Sequence, residues 1–599
     1  MSRLESPTPE TSPRFLSLRL LPSFFDLSVV AAFLGTLLTS LPSPSLWWRM
    51  ALGQWMLQHL NVMHQNLFSF AAPTHPWVNH EWALDVMIFW CVDRLGLSWW
   101  VWLRALSVAL LVGFSVRTLR RRGGILPTFL LTGLLWLSLQ SLLPLEPLLV
   151  SALFLASCLN LLESPRWTGL PALVVVPLLC WFWASLHGAV LVGLVLLWLY
   201  SAGEVWDAMR RRADARWVLH PPLALLATLF ALWNPYYAGI FELGLEELWQ
   251  LLSSGILRLQ LLSSHDLALG GALMGVVGLT LLAVGSEVRW RLALPWLLLT
   301  PIVLLMPGYV GLWGVWGVVT LMEHIQQVAR RVRHEPRLGL LSPLRSRPIL
   351  VMADSLHRLS AFETRCSTGM VGVLLMGLLS WAWLVPHERL GPLWPEHSLM
   401  AGSSSLDALA AAHHMPVKAV DALIVRSKAG TRVLAPLEWS GYVLWAGQGQ
   451  LQIFVDGREN AYPLGVLEDY DRIRGMLPGW EELLDSYEVD FVVWKKDSFL
   501  PQALETSGGW QVHHQGTDAV VLEKRRSQLP APPDVTDPAE AASLKLNAQS
   551  TDVGDVTPHE AGTQSTEVGD LTPHEAGPAG TTAAESASPV TSGSAPPTP

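Results

Sequence analysis

Long apolar runs alternate with short polar punctuation along most of the chain. Apolar runs of about 16 to 21 residues recur from residue 26 to 323 and once more at 369–386, and each, as a helix, can cross a hydrocarbon core of roughly 30 Å. Five basic clusters separate them: Arg14/Arg19, "RTLRRR" (117–122), "RRRADAR" (210–216), "RWR" (289–291) and "RRVRHEPR…RSR" (330–347). The excess of arginine on cytoplasmic loops puts all five on the inner side. The runs then lie at 27–43, 97–117, 125–142, 147–162, 170–185, 187–204, 217–233, 268–285, 292–306, 308–323 and 369–386. This predicts about eleven spans with the N-terminus inside. The segment 81–95 is left over. It carries Glu81, Asp85, Asp93 and Arg94, too many charges for a crossing, so it is expected to lie at the outer interface or to re-enter.

This topology puts loop 44–80, "LPLEP" (143–147), "SLHG" (185–188) and "NPYY" (234–237) with the loop to 267 on the outside, together with everything after the last span. Polar chemistry gathers on that face, while the inner face shows mainly arginine. The fold class expected is mainly α: a polytopic helical membrane domain over 26–386, after a cytoplasmic segment 1–25.

Beyond residue 400 the period changes. "TRVLAP", "GYVLWA", "LQIFVDG", "VDFVVWK", "WQVHH" and "AVVLEK" read as short strands, with helices at about 464–477, 480–487 and 499–506. Residues 400–525 are expected to form an extracytoplasmic α/β domain with βαβ units. Residues 526–599 contain "AQSTDVGDVTPHEAG" followed by "TQSTEVGDLTPHEAG", a tandem repeat in a Pro/Thr/Ala/Ser/Glu-rich tail. Such a composition buries too little apolar surface to offset ordering entropy, so disorder is expected there.

Composition sharpens this picture. The 599 residues are 51% hydrophobic and 15% charged, with a mean hydropathy of +0.35. Tryptophans sit at the ends of apolar runs (Trp47, Trp48, Trp99, Trp100, Trp206, Trp290), where an indole meets the interface. The four cysteines, Cys91, Cys158, Cys180 and Cys366, all fall in or beside membrane segments, which excludes a disulfide framework. No basic soluble segment is interleaved with aromatics, so nucleic acid is not an expected partner.

"HPWVNHEWALD" (75–85) concentrates two histidines, two tryptophans and two carboxylates at a membrane edge. His80-Glu81 begins like the zinc-protease HExxH, but Leu84 stands where the second histidine is needed. Glu81 and Asp85 are four apart and share a helical face, where a partly desolvated carboxylate can act as a general base. A plainer reading makes Asn79 a helix cap, Glu81 a first-turn acid and Trp77 and Trp82 anchors. The spacing of the loop histidines matches no defined metal site. Asp456-Gly457-Arg458 ends a strand, either as a ligand-binding turn or as a turn with a local ion pair.

Several stretches resemble bacterial polytopic membrane proteins related to GT-C glycosyltransferases, the RgtA/B/C/D-like class. "NLFSFAAPTHPWVNHEWAL" (66–84) is similar to that family's first outer loop, Pro-x-x-Asp-x-Phe-Ser followed by Trp-Val-x-His-Glu-Trp-Leu. "WASLHGAVLVGL" (183–194), "NPYY" (234–237) and "VDGRENAY" (455–462) resemble three further family motifs in the same order. The resemblance covers roughly residues 20–525. It implies a sugar moved from a polyprenyl-phosphate donor to an envelope glycan or protein acceptor on the outer face of the bacterial inner membrane. It also implies that an acid of the first outer loop activates the acceptor. On this basis Glu81 and Asp85 are the catalytic residues expected, and Asn66, His80, His187, Asn234, Tyr236 and Arg458 the substrate-binding ones. No metal ligands are assigned, the cofactor is unknown, and a divalent cation is left open. The departures are Asn66 where the family carries Asp, Glu146-Pro147 in place of Arg-Pro, and Ser185 in place of Asn. A catalytically silent envelope protein of the same fold is therefore an alternative, as is a lipid-linked glycan transporter. The spans tell against transport, because Arg104 is their main ionisable residue.

Overall fold

The computed structural model describes residues 21–38, 44–142, 147–164, 169–211, 215–239, 241–242, 276, 278–280, 288–334, 358, 362–363, 366, 369–384 and 406–525. The tandem repeat, Glu146, most of the run at 268–285 and most of the fifth arginine cluster lie outside them. Helices α1 (Phe24–Leu37), α2 (Ser45–His59), α3 (Trp82–Leu95), α4 (Leu97–Arg122), α5 (Ile125–Leu139) and α6 (Pro147–Leu162) come first. They are followed by α7 (Leu170–Leu186), α8 (Val190–Arg211), α9 (His220–Ala231), α10 (Trp290–Leu305), α11 (Val310–His334) and α12 (Met370–Leu384). All but α2 correspond to an apolar segment recognised in the sequence. α2 lies where a loop was expected: its tryptophans read as interface anchors, yet "SLWWRMALGQWMLQH" also makes a continuous helix in which residues 46–47, 49–53 and 56 are buried.

The helices pack around large buried side chains, among them Trp183, Tyr200, Trp296 and Trp316. Other apolar residues point outward: Phe129, Leu137, Val174, Leu229, Leu378 and Trp381 are each more than half exposed. Leu97–Arg122 and Val190–Arg210 are long and apolar enough to cross a membrane by length and composition. An outward apolar surface spread over four helices fits lipid better than water. Arg104, in α4, is buried and donates from Nη2 to the Thr36 carbonyl at 3.0 Å. At the arginine-rich ends Arg122 pairs with Glu163 and, at 2.9 Å, with Glu323. Arg291 pairs with Glu163 and Glu204, both at 3.1 Å. These charges tie α4, α8, α10 and α11 together beside the end of α6.

The C-terminal part contains α13 (Leu406–Ala412), α14 (Val417–Arg426), β1 (Thr431–Leu434), α15 (Leu437–Ala446), β2 (Leu451–Ile453), α16 (Leu464–Arg474) and α17 (Trp480–Ser486). β3 (Phe491–Lys495), α18 (Phe499–Thr506), β4 (Trp510–Gln515) and β5 (Ala519–Lys524) complete it. The sheet order is β2-β1-β3-β5-β4. β1 is parallel to β2 and to β3, and β5 is antiparallel to β3 and β4. "GYVLWA", expected as a strand, lies in α15. An apolar run this short does not distinguish a strand from a buried helix, and here one side meets β2 while Trp47 packs edge-on against Tyr442 at 5.0 Å.

Loop 60–81 docks onto the edge strand of this sheet. The Ile453 amide donates to the Phe68 carbonyl (3.0 Å) and the Phe70 amide to the Ile453 carbonyl (3.2 Å), so residues 68–70 extend the sheet beside β2. Beneath, Arg458 pairs with Asp456 at 2.7 Å and donates to Asn66 Oδ1 at 2.9 Å, while Asn66 Nδ2 donates to the Ala461 carbonyl at 3.0 Å. All three side chains are buried. Arg458→Ala would leave Asp456 charged and unpaired, at a cost of roughly 3–5 kcal/mol. Asn66→Asp turns the donor facing Ala461 into an acceptor, at a cost of about 1–3 kcal/mol. Thermal unfolding in detergent should rank wild type above Asn66→Asp above Arg458→Ala. Equal midpoints would remove this cluster as the docking contact.

Candidate active site

Three segments distant in sequence converge around Glu81. The first is the loop 60–81 entering α3. Asn79 shapes the turn: its Oδ1 accepts the Glu81 amide at 3.1 Å and its Nδ2 donates to Asp85 Oδ2 at 2.9 Å. Glu81 occupies the cap position of α3 and Asp85 its first turn. The second segment is the turn after α7, which brings His187 Nε2 to 3.3 Å from Glu81 Oε1. Gly188 there lies against the His80 ring, and a Cβ would come within 2.9 Å of it. His80 Nε2 is 3.7 Å from the same Glu81 oxygen. The third is the turn after α9. Asn234 holds this turn by accepting the Tyr236 amide at 2.8 Å and donating to the Ala231 carbonyl at 2.8 Å. Tyr236 in turn donates to the Met63 carbonyl at 2.8 Å and meets the His64 ring edge-on.

Arg49, on α2, was not singled out in the sequence and holds the centre. Its Nη1 lies 2.5 Å from Glu81 Oε2 and 2.9 Å from Asp85 Oδ1. Its guanidinium stacks over Trp48, 4.3 Å from the ring centroid. The signal available in the sequence was a lone cation inside "SLWWRMALGQW", which is costly in an apolar stretch without a partner. α2 reaches α3 closely because residue 53 is glycine: a Cβ there would stand 2.2 Å from the Asp85 carbonyl oxygen.

The electrostatics follow from burial and Arg49. Burial pushes the Glu81 carboxyl up, but Arg49 and then His80 and His187 outweigh it, and the group is held at about 2. Burial pushes Asp85 up to about 7 despite Arg49, with the Glu81 charge adding to the rise. Burial also takes His187 down to about 4, so its ring is neutral at pH 7.

Of the residues expected to act, Glu81, Asp85, His80 and His187 come together, and Tyr236 and Asn234 support the loop beside them. Asn66 and Arg458 sit in the docking contact and bond to each other. Glu81 is the carboxylate in contact with both imidazoles, whereas both Asp85 oxygens are engaged by Arg49 and Asn79. The donor atoms of His80, Glu81 and His187 all lie within 4.8 Å of one another, so among the described residues this is the set that could take a metal ion. The chemistry on offer is a buried carboxylate that Arg49 holds ionised, flanked by two imidazoles.

No family model matches the chain, and no curated protein matches it. Among solved structures it is similar to ArnT from Cupriavidus metallidurans bound to undecaprenyl phosphate, at 14% identity and a TM-score of 0.39, over 85% of this chain and 98% of that one. It is also similar to the archaeal oligosaccharyltransferase AglB from Archaeoglobus fulgidus, in complex with an inhibitory peptide and a dolichol-phosphate. That match has 10% identity and a TM-score of 0.40, over 85% of this chain and 75% of that one.

The shifted Asp85 makes stability depend on pH. A carboxyl raised from its ordinary value near 4 to about 7 binds an extra proton in the folded state between those values. Its contribution is therefore full below about pH 4, declines as pH rises toward 7 and is flat above. Asp85→Asn should flatten the fall in unfolding temperature between pH 5 and pH 8 expected for wild type. An unchanged pH slope in Asp85→Asn would contradict the assignment.

Proposed function

We propose that the protein is a membrane glycosyltransferase that moves a sugar from a polyprenyl-phosphate donor to an envelope acceptor at the outer face. The observation that carries this is the Glu81 carboxylate, ionised by Arg49 and contacted by His187, where three segments expected to face outward meet. Their motifs, His80-Glu81, His187-Gly188 and Asn234-Pro-Tyr, are those that resemble the GT-C-related proteins. Outward apolar side chains on the helices support the embedding, and the inner arginines support the orientation. The N-terminus is then cytoplasmic and residues 400–525 lie outside.

In this reading the acceptor hydroxyl oxygen bonds to the anomeric carbon as the bond from that carbon to the phosphate oxygen breaks. The lipid phosphate leaves with the electron pair, and the acceptor proton passes to Glu81. A carboxylate held at about 2 is a weak base. It takes the proton only as the acceptor oxygen becomes acidic on bonding, while it stays ionised at every physiological pH. Asp85 does not touch substrate; it shares Arg49 with Glu81 and holds it in place. His80 and His187 orient the reacting groups around the carboxylate. Should a divalent cation take part, His80 and Glu81 would hold it and it would supply charge stabilisation to the phosphate.

Glu81→Gln keeps shape and hydrogen-bonding reach but cannot take a proton. In nanodiscs supplied with a panel of polyprenyl-phosphate sugars, it should lower transfer by about 10²–10⁴-fold, with expression and unfolding temperature near wild type. Equal turnover would remove Glu81 as the base. Wild-type protein inactive across the panel would favour the silent-scaffold reading.

A further inference from the structure

Ser151 on α6 and Trp183 on α7 form a hydrogen-bonded chain behind His187 that the mechanism above does not use. Trp183 Nε1 donates to Ser151 Oγ at 2.7 Å. Ser151 Oγ in turn lies 2.7 Å from His187 Nδ1. We infer that Ser151 and Trp183 are positioning residues that fix the His187 proton on Nε2, making His187 a hydrogen-bond donor to Glu81; this rests on the transfer reading for its consequence.

An indole N–H only donates, so it takes one of the two lone pairs of the serine oxygen. Ser151 is fully buried, and among the described residues its hydroxyl oxygen has no recorded partner besides Trp183 and His187. The hydroxyl proton therefore has one place to go, His187 Nδ1; left unmade, that bond would strand a buried donor. A neutral imidazole that accepts at Nδ1 carries its hydrogen on Nε2. Nε2 is the atom 3.3 Å from Glu81 Oε1. Glu81 then faces a donor on each oxygen, Arg49 on Oε2 at 2.5 Å and the His187 Nε2–H on Oε1 at 3.3 Å, so its orientation is favoured before substrate arrives. The same tautomer leaves Nε2 no lone pair for a metal ion, so His187 acts here as a donor. The aromatic chain is itself braced, since Phe154 stacks on Trp183 at 5.9 Å.

The test reads the tautomer directly in the full-length protein. Histidine labelled with carbon-13 and nitrogen-15 is incorporated, the protein is reconstituted in liposomes, and the His187 signals are identified by their absence in His187→Gln. Solid-state spectra should show the protonated ring nitrogen correlated with Cδ2, which marks Nε2. Ser151→Ala should move the population toward the other tautomer, and Ser151→Thr, which keeps the hydroxyl, should restore it. In a transfer assay Ser151→Ala should lower kcat on the order of tenfold with KM little changed, and Ser151→Thr should recover it. A protonated nitrogen correlated with Cγ in wild type, or a tautomer unmoved in Ser151→Ala, overturns the inference whatever the transfer assay shows. Absent transfer alongside the expected tautomer would count against the proposed function and leave the hydrogen-bond assignment standing.

Discussion

A single buried guanidinium organises the candidate site. Arg49 Nη1 bonds to both Glu81 and Asp85, on a helix that packs on α3 across Gly53. Two carboxylates in so dry a place could not both ionise unaided, because each would lose its hydration without compensation. Arg49 resolves this asymmetrically. Glu81, with two imidazoles on its far oxygen, keeps its charge, while Asp85, enclosed on all sides, is pushed toward neutrality. Two like groups one helical turn apart thus acquire different properties, a divergence that often separates acid–base roles at reaction centres.

The loop that carries Glu81 is held at both ends. At one end residues 68–70 add to the edge of the C-terminal sheet, and Asn66 bonds to Arg458. At the other Asn79 ties the turn to α3. Trp77 lies between them, its indole donating to Asn460 at 3.3 Å and its ring 4.7 Å from the Arg458 guanidinium. The sheet domain therefore braces the loop as well as covering it. An extended strand edge would otherwise expose unpaired backbone groups, and docking satisfies them with the segment whose shape the site needs.

Much of this was legible in the chain itself. Apolar runs mark helices because a lipid-facing or core-facing helix must be apolar over its length, and eleven of the segments so read are helical where described. Five of the six β-rich stretches are strands for the corresponding reason, alternation or short β-branched runs. α15 was misread because helix and strand share the same short apolar signature when both are buried. α2 was missed because its tryptophans satisfied an interface reading first. Glu81, His80 and His187 could be named from local motifs. Their shared partner Arg49 could not, since nothing in residue spacing says that α2 folds back on α3. Asn66 and Arg458 looked like ligand groups because polar residues at outer loops usually are exposed, and their mutual burial is a property of the docked domain. Ser151 carries no motif at all, and only the packing of α6 against α7 gives it a role.

The proposed transfer cleaves a lipid phosphate from its sugar beside Glu81. The most direct measurement is a structure of the protein in nanodiscs with a non-hydrolysable polyprenyl-phosphate sugar analogue. The account predicts the phosphate near His80 and His187, with the sugar's anomeric carbon open to an acceptor next to Glu81 Oε1. Phosphate density at another part of the surface, with the Glu81 cluster unchanged and sealed, would contradict it.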